Sequence, residues 1–111
     1  MIFEELVLGN YRGRLDIIAD ILHVVSKNAK KTRIMYQANL SYKVLQRYLS
    51  DITEASLISF EAEGRCYVLT PKGCEFLEAY KDYAKTHKSV EKRLNEVGSK
   101  KKNLEELCAN E

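Results

Sequence analysis

Lys27, Lys30, Lys31, Arg33, Lys43 and Arg47 fall within residues 21–50, a stretch that contains no Asp or Glu. The remaining 81 residues carry twelve basic side chains against sixteen acidic ones, so a formal net charge of +2 conceals a segregated positive segment. Ammonium and guanidinium groups gathered in this way suit the capture of a polyanion, because each phosphate they neutralise releases condensed counterions. A basic face that is merely solvated is the alternative reading of the same residues. Catalytic chemistry finds less support. Neither a G-x-x-x-x-G-K-[ST] run nor a G-x-G-x-x-G run occurs, no Ser-His-Asp set can be assembled, and no catalytic residue is assigned. Cys66, Cys74 and Cys108 form no CxxC pair, and His23 and His87 stand far apart. A zinc site needs about four closely spaced ligands, so no metal, cofactor or small-molecule ligand is expected.

The elements that must position the cations can be read from spacing. Leu15, Ile18, Leu22 and Val25, widened by Ile17, Ile21 and Val24, form the stripe of a helix with a broad apolar face. Asp16 lies in its first turn, where the helix dipole favours an acid, and Asn28 marks its stop. Thr32 is the expected N-cap of a short helix from Arg33 to Asn39, with Ile34, Met35 and Ala38 inward. Asn39-Leu40 makes a turn, and Ser41 caps a third helix from Tyr42 to Ala55. Leu45, Leu49 and Ile52 are its inward residues, with Tyr48 beside them. Leu57–Glu61 and Cys66–Leu69 read as a β-hairpin whose turn, Ala62-Glu63-Gly64-Arg65, takes its positive φ from Gly64. Thr70-Pro71 then opens a last helix, with Thr as N-cap and Pro at the first helical position.

The order helix, helix, helix, hairpin, helix is that of a winged helix-turn-helix. The runs Leu49-Ser50-Asp51-Ile52-Thr53-Glu54-Ala55-Ser56-Leu57-Ile58 and Tyr67-Val68-Leu69-Thr70-Pro71-Lys72-Gly73-Cys74-Glu75-Phe76-Leu77, with Arg14-Leu15-Asp16-Ile17-Ile18, carry a resemblance over about residues 12–83. They resemble the archaeal winged-helix DNA-binding family that includes the ArnR-like domains and a small dimeric chromatin-associated protein of Sulfolobus. Two positions depart from that family's pattern. Ser56 replaces a glycine that usually ends the recognition helix in a left-handed conformation, which makes the cap costlier and suggests a different exit into the hairpin. Cys74 stands where a basic residue is common.

In a helix-turn-helix the second helix of the motif enters the major groove with its N-terminal half near base edges. The residues so placed are Tyr42, Lys43, Gln46 and Arg47. Gln46 suits adenine, and Arg47 suits guanine or a phosphate. Tyr42 suits a phosphate or a sugar, or else packs on the preceding helix. Lys30, Lys31 and Arg33 suit phosphates, which position a protein without reading sequence. Arg65 at the hairpin tip suits the adjacent minor groove, but Glu63 beside it weakens that contact. Arg12 and Arg14 read either as backbone contacts or as solvated side chains.

From Phe76 onward a 4-3 spacing runs through Tyr80, Tyr83, His87, Val90, Leu94, Val97, Lys101, Leu104 and Cys108. A repeat sustained over more than four heptads is a coiled-coil seam. A helix from Pro71 to Cys108 would be about 57 Å long, too long to bury such a seam on one small domain, so a second copy is the simplest partner. Gly98-Ser99 leaves open a helix that ends near Val97. A parallel pair would set Lys101 against Lys101 and His87 against His87. An antiparallel pair centred near residue 92 sets Lys101 beside Tyr83, where the ammonium gains an aromatic face, and His87 beside Val97. The resemblance implies the antiparallel arrangement as well.

These readings give a mainly α protein with a small β-hairpin: an N-terminal arm (1–11), a winged helix-turn-helix domain (12–75) and a C-terminal coiled-coil dimerisation helix (76–111). Tyr80, Tyr83, His87, Val90, Leu94 and Val97 are the expected dimer contacts. No apolar run approaches the roughly 20 residues that span a bilayer, and Met1–Leu6 is acidic where a signal peptide is positive, so a cytoplasmic, nucleoid-associated protein is expected. The expected partners are double-stranded DNA and a second copy, with a role in transcription regulation or chromatin. The alternative is a winged-helix module that recruits another protein through the coil. A redox sensor built on the three cysteines is a third.

Overall fold

The computed structural model describes residues 12–109, and the expected arm 1–11 lies outside them. Helix α1 (Arg14–Val25) begins where the backbone N–H of Gly13 donates to the Asp16 carboxylate at 2.8 Å. That bond satisfies the N-cap donor, as in one half of a capping box. Ile18, Ala19, Ile21, Leu22 and Val25 are buried along its inner face, whereas Leu15 is 43% exposed. The expected stripe is therefore one turn too long. Asn28 stops the helix in the left-handed region at φ 56°.

Helix α2 (Lys31–Gln37) starts before the expected Thr32 cap. Lys30 is the N-cap residue, extended at φ −79°, ψ 156°, with no side-chain cap bond. The reason lies upstream. Ala29 exchanges two backbone hydrogen bonds with Tyr67, at 2.8 and 3.2 Å, so the chain enters α2 as a short extra strand alongside the hairpin. That extended geometry continues through Lys30, whose carbonyl accepts the first intrahelical bond, from Ile34 at 3.1 Å.

Both helices of the turn unit end in one pattern. Asn39 (φ 54°) follows α2, with Leu40 N–H bonded to Met35 O and Asn39 N–H to Tyr36 O. Helix α3 (Tyr42–Glu54) ends at Ser56 (φ 64°), with Leu57 N–H bonded to Ile52 O and Ser56 N–H to Thr53 O. These paired bonds are Schellman motifs. Ser56 thus retains the left-handed exit that its lack of a glycine argued against. Tertiary bonds hold it there: the Thr70 hydroxyl donates to Ser56 O at 2.6 Å, and the Lys72 ammonium donates to Ala55 O at 2.8 Å. An L-residue in this region costs about 1–2 kcal/mol. Ser56→Gly is expected to raise stability by about 1 kcal/mol, less than the full cost because glycine also loosens the unfolded chain. Urea denaturation measures it.

Strands β1 (Ile58–Glu61) and β2 (Cys66–Leu69) pair antiparallel, with Phe60 opposite Tyr67 and their rings edge to face at 5.1 Å. The positive φ in their turn is at Arg65 (φ 52°), not at Gly64. Thr70 caps the final helix as expected, its hydroxyl accepting from Gly73 N–H at 3.0 Å. Helix α4 (Pro71–Leu107) runs unbroken through Gly98, which settles the continuity that the sequence left open. At 37 residues it is about 55 Å long.

One compact unit comprises Arg12–Lys81. Its core is Ile18, Ile21, Leu22 and Val25 from α1, Ala29, Ile34 and Ala38 around α2, Leu45, Leu49 and Ile52 from α3, and Leu57 and Ile58 entering the hairpin. Burying an aliphatic side chain of this size contributes about 1.5–3 kcal/mol, so the layer of seven fully buried Ile, Leu and Val residues dominates the packing. Tyr80 closes the unit, its hydroxyl 2.5 Å from Asp16 Oδ1. From Asp82 the helix belongs to the second unit, where Tyr83 and His87 are in ring contact at 5.9 Å.

Candidate nucleic-acid interface

Helix α3 is divided cleanly into two faces. Leu45, Leu49 and Ile52 are buried, while Tyr42, Lys43, Gln46, Arg47 and Ser50 are exposed. Ser41 fixes where this division begins, its hydroxyl accepting from Val44 N–H at 3.3 Å. Lys43, Gln46, Arg47 and Ser50 then line one shallow depression along the outer face, with Asp51 at its C-terminal end. The cationic character therefore lies in the N-terminal half of the helix, the half that meets bases in a helix-turn-helix.

Lys27, Lys30 and Arg33 are exposed, and Lys31 is half-buried. Among the described residues the one ion pair is Arg12–Asp20, so none of the six cations in the acid-free segment is neutralised by a carboxylate. Lys30 follows directly on the Ala29–Tyr67 bridge, which ties its position to the hairpin as well as to α2. Arg65 is exposed at the tip of that hairpin.

Three of the predicted site residues are drawn into one contact. The Lys31 ammonium lies 4.5 Å from the centre of the Tyr42 ring and 3.2 Å from its hydroxyl oxygen, and it donates to Gln46 Oε1. Tyr42 is nevertheless 60% exposed. Its ring thus meets the preceding helix through a cation without being covered by it.

Arg12 is engaged within the fold rather than simply solvated. Its guanidinium bonds to Asp20 at 2.9 Å, to Ala38 O at 2.6 Å and to Asn39 O at 3.0 Å. It bonds the two carbonyls that follow α2, and through Asp20 it ties that end to α1, a charge-assisted use of a forked donor. Arg14 is exposed. Tyr36, on the outer side of α2, is 77% exposed and was not among the expected site residues. Its signal was available: with Ile34, Met35 and Ala38 inward, position 36 has to face out.

Residues 11–88 match the winged helix-turn-helix family. The chain belongs to that family. An uncharacterized protein of Methanocaldococcus jannaschii is 41% identical over 68 residues, which make up 60% of this chain and 31% of that relative. The chain thus spans about a third of the length of the curated relative it matches. Among solved structures, the crystal structure of Sso10a-2, a DNA-binding protein from Sulfolobus solfataricus, superposes with a TM-score of 0.65. It covers 90% of this chain and all of its own, at 24% sequence identity. In family terms α2 and α3 are the helix-turn-helix, α3 is the recognition helix, and β1–β2 is the wing.

In the second unit, Tyr83, Val90, Val97 and Leu104 are 46–63% exposed, and His87 and Leu94 are half-buried. Cys66 is half-buried, Cys74 and Cys108 are exposed, and all three are free thiols. Among the described residues, no three His, Cys, Asp or Glu side chains come together as a metal site, and no helix is long and apolar enough to cross a membrane.

Proposed function

We propose that this protein binds double-stranded DNA as a homodimer and acts as a transcription regulator or nucleoid-associated chromatin factor. The observation that carries the reading is the exposed outer face of α3, Tyr42, Lys43, Gln46 and Arg47, flanked by cations that no carboxylate among the described residues neutralises. Lys43 and Arg47 enter the major groove with Gln46, while Lys30 and Arg33 meet phosphates and set the register. Arg65 adds a contact from the wing. The DNA-binding protein Sso10a-2, alike in fold, supports the same assignment.

The dimer forms through an antiparallel coiled coil of α4. Val90, Val97 and Leu104 recur at heptad spacing and are each more than half exposed, a row of apolar surface that a second helix would cover. The antiparallel register keeps Lys101 away from its own copy. The same row supports a second reading, a module that recruits a different protein through the coil.

The experiment is a titration of duplex DNA across 50–200 mM salt, combined with sedimentation of the protein alone. With about five phosphate contacts per head, the affinity falls with a log–log slope near −4 to −5 for each head engaged. A salt-independent affinity, or no binding at low salt, overturns the DNA reading. A stable monomer in sedimentation removes the homodimer and leaves the recruiting module.

A further inference from the structure

Resting on the DNA reading, we infer that Lys31 is a positioning residue that sets the base preference of Gln46, turning it from adenine toward guanine. An ammonium carries three donors and no acceptor, so Lys31 meets Gln46 only through Oε1, as the structure has it. A glutamine reads adenine by using both ends of its amide: Nε2 donates to N7 while Oε1 accepts from the N6 amino group. Here Oε1 already holds a cation. One lone pair remains on it, but an adenine amino group brought there would lie against the Lys31 ammonium, two donors side by side. The Nε2 end keeps its hydrogens for the groove, and the adjacent positive charge favours an edge made of acceptors alone. Guanine, with N7 and O6, presents that edge.

Tyr42 is biased in the same direction. Its hydroxyl oxygen takes a hydrogen bond from Lys31 at 3.2 Å, and the ammonium stands over its ring at 4.5 Å. The oxygen is engaged as an acceptor, which leaves the O–H hydrogen to donate to a phosphate or a base acceptor. The ring contact holds the cation between both side chains. One lysine on α2 thus makes two neighbouring residues of α3 into donors, and the placement is preformed in the protein without DNA. Lys31 is half-buried beneath them, unlike Lys30 and Arg33, which are exposed.

The test is selection from a randomised duplex DNA library by the 111-residue chain and three variants. Gln46→Ala identifies the base pair that Gln46 reads as the position whose preference disappears. Wild type selects guanine there. Lys31→Met, which keeps the aliphatic stem and removes the charge, shifts that position toward adenine and lowers the guanine-to-adenine ratio about tenfold, within the discrimination one bidentate contact supplies. Lys31→Arg, again a donor without acceptors, retains guanine. A purely structural lysine would weaken binding at every sequence alike and leave the preference unmoved. Unchanged selection by Lys31→Met, adenine selected by wild type, or no position flattened by Gln46→Ala overturns the inference while DNA binding stands. Failure of wild type to enrich or bind any duplex overturns the DNA reading, and this inference with it.

Discussion

Gly73→Ala is expected to destabilise the winged-helix unit by about 3 kcal/mol, at the upper end of what overpacking costs. A methyl group at Gly73 would lie 2.2 Å from the Leu57 carbonyl oxygen and 2.6 Å from Leu69 Cδ1. The leucine can change rotamer, but the carbonyl cannot move without cost. It accepts from Thr70 N–H at 3.2 Å, with the Thr70 hydroxyl oxygen 3.0 Å away, and Leu57 also completes the Schellman cap of α3. Displacing it would disturb three elements together: the end of the recognition helix, the start of the wing and the cap of α4. Urea denaturation followed by circular dichroism gives the size of the loss. Cys74→Ala, one residue on and exposed, is the control and should stay within about 0.5 kcal/mol of wild type. Equal stability of Gly73→Ala and wild type would mean that α4 can shift away from Leu57, and the close approach would lose its structural meaning.

Reversing charge on the recognition helix should produce the largest functional effect. Arg47→Ala is expected to weaken duplex binding about 10- to 100-fold and, if its guanidinium reads a base, to relax one position of the site. Lys43→Glu with Arg47→Glu converts two attractive contacts to repulsive ones and should remove measurable binding at physiological salt. Both residues are exposed and line the outer depression of α3, so the fold should survive either change. Arg12→Ala separates charge from position. It removes one positive charge as Arg47→Ala does, yet its guanidinium is engaged with Asp20, Ala38 and Asn39. It should cost about 1–2 kcal/mol of stability and leave the salt slope of DNA binding unchanged. Urea denaturation reads the stability, and fluorescence anisotropy over a salt series reads the affinity and its slope. Equal losses for Arg12→Ala and Arg47→Ala would reduce the interface to net charge alone.

The parts of the fold that depend on neighbours in sequence were legible before any coordinates. Leu45, Leu49 and Ile52 announce a buried face by spacing, Ser41 and Thr70 announce caps by side-chain chemistry, and all five behave so. The expectations that failed were those where a distant partner overrides the local rule. Thr32 is a better cap than Lys30 on chemistry, but Ala29 is paired to Tyr67, and that pairing decides where α2 begins. Gly64 is the natural left-handed residue of its turn, yet Arg65 adopts that conformation. Arg12 bonds to residues 26 and 27 positions away, and Lys31 to one 15 positions away. No periodicity announces such contacts. The six cations were legible as a group from composition, whereas the inward engagement of Lys31 required coordinates.

The pairing of Ala29 with Tyr67 turns the α1–α2 connection into a ruler. Alternation along the bridged stretch places Ala29 in the core and Lys30 outward, with Lys31 next on the helix beneath Tyr42. One inserted or deleted residue would exchange those directions, presenting a lysine to the apolar interior and an alanine to the aqueous side. Composition in this connection can drift as long as a small residue precedes the two cations. Its length cannot, and an indel here should be tolerated far less well than one at the wing tip.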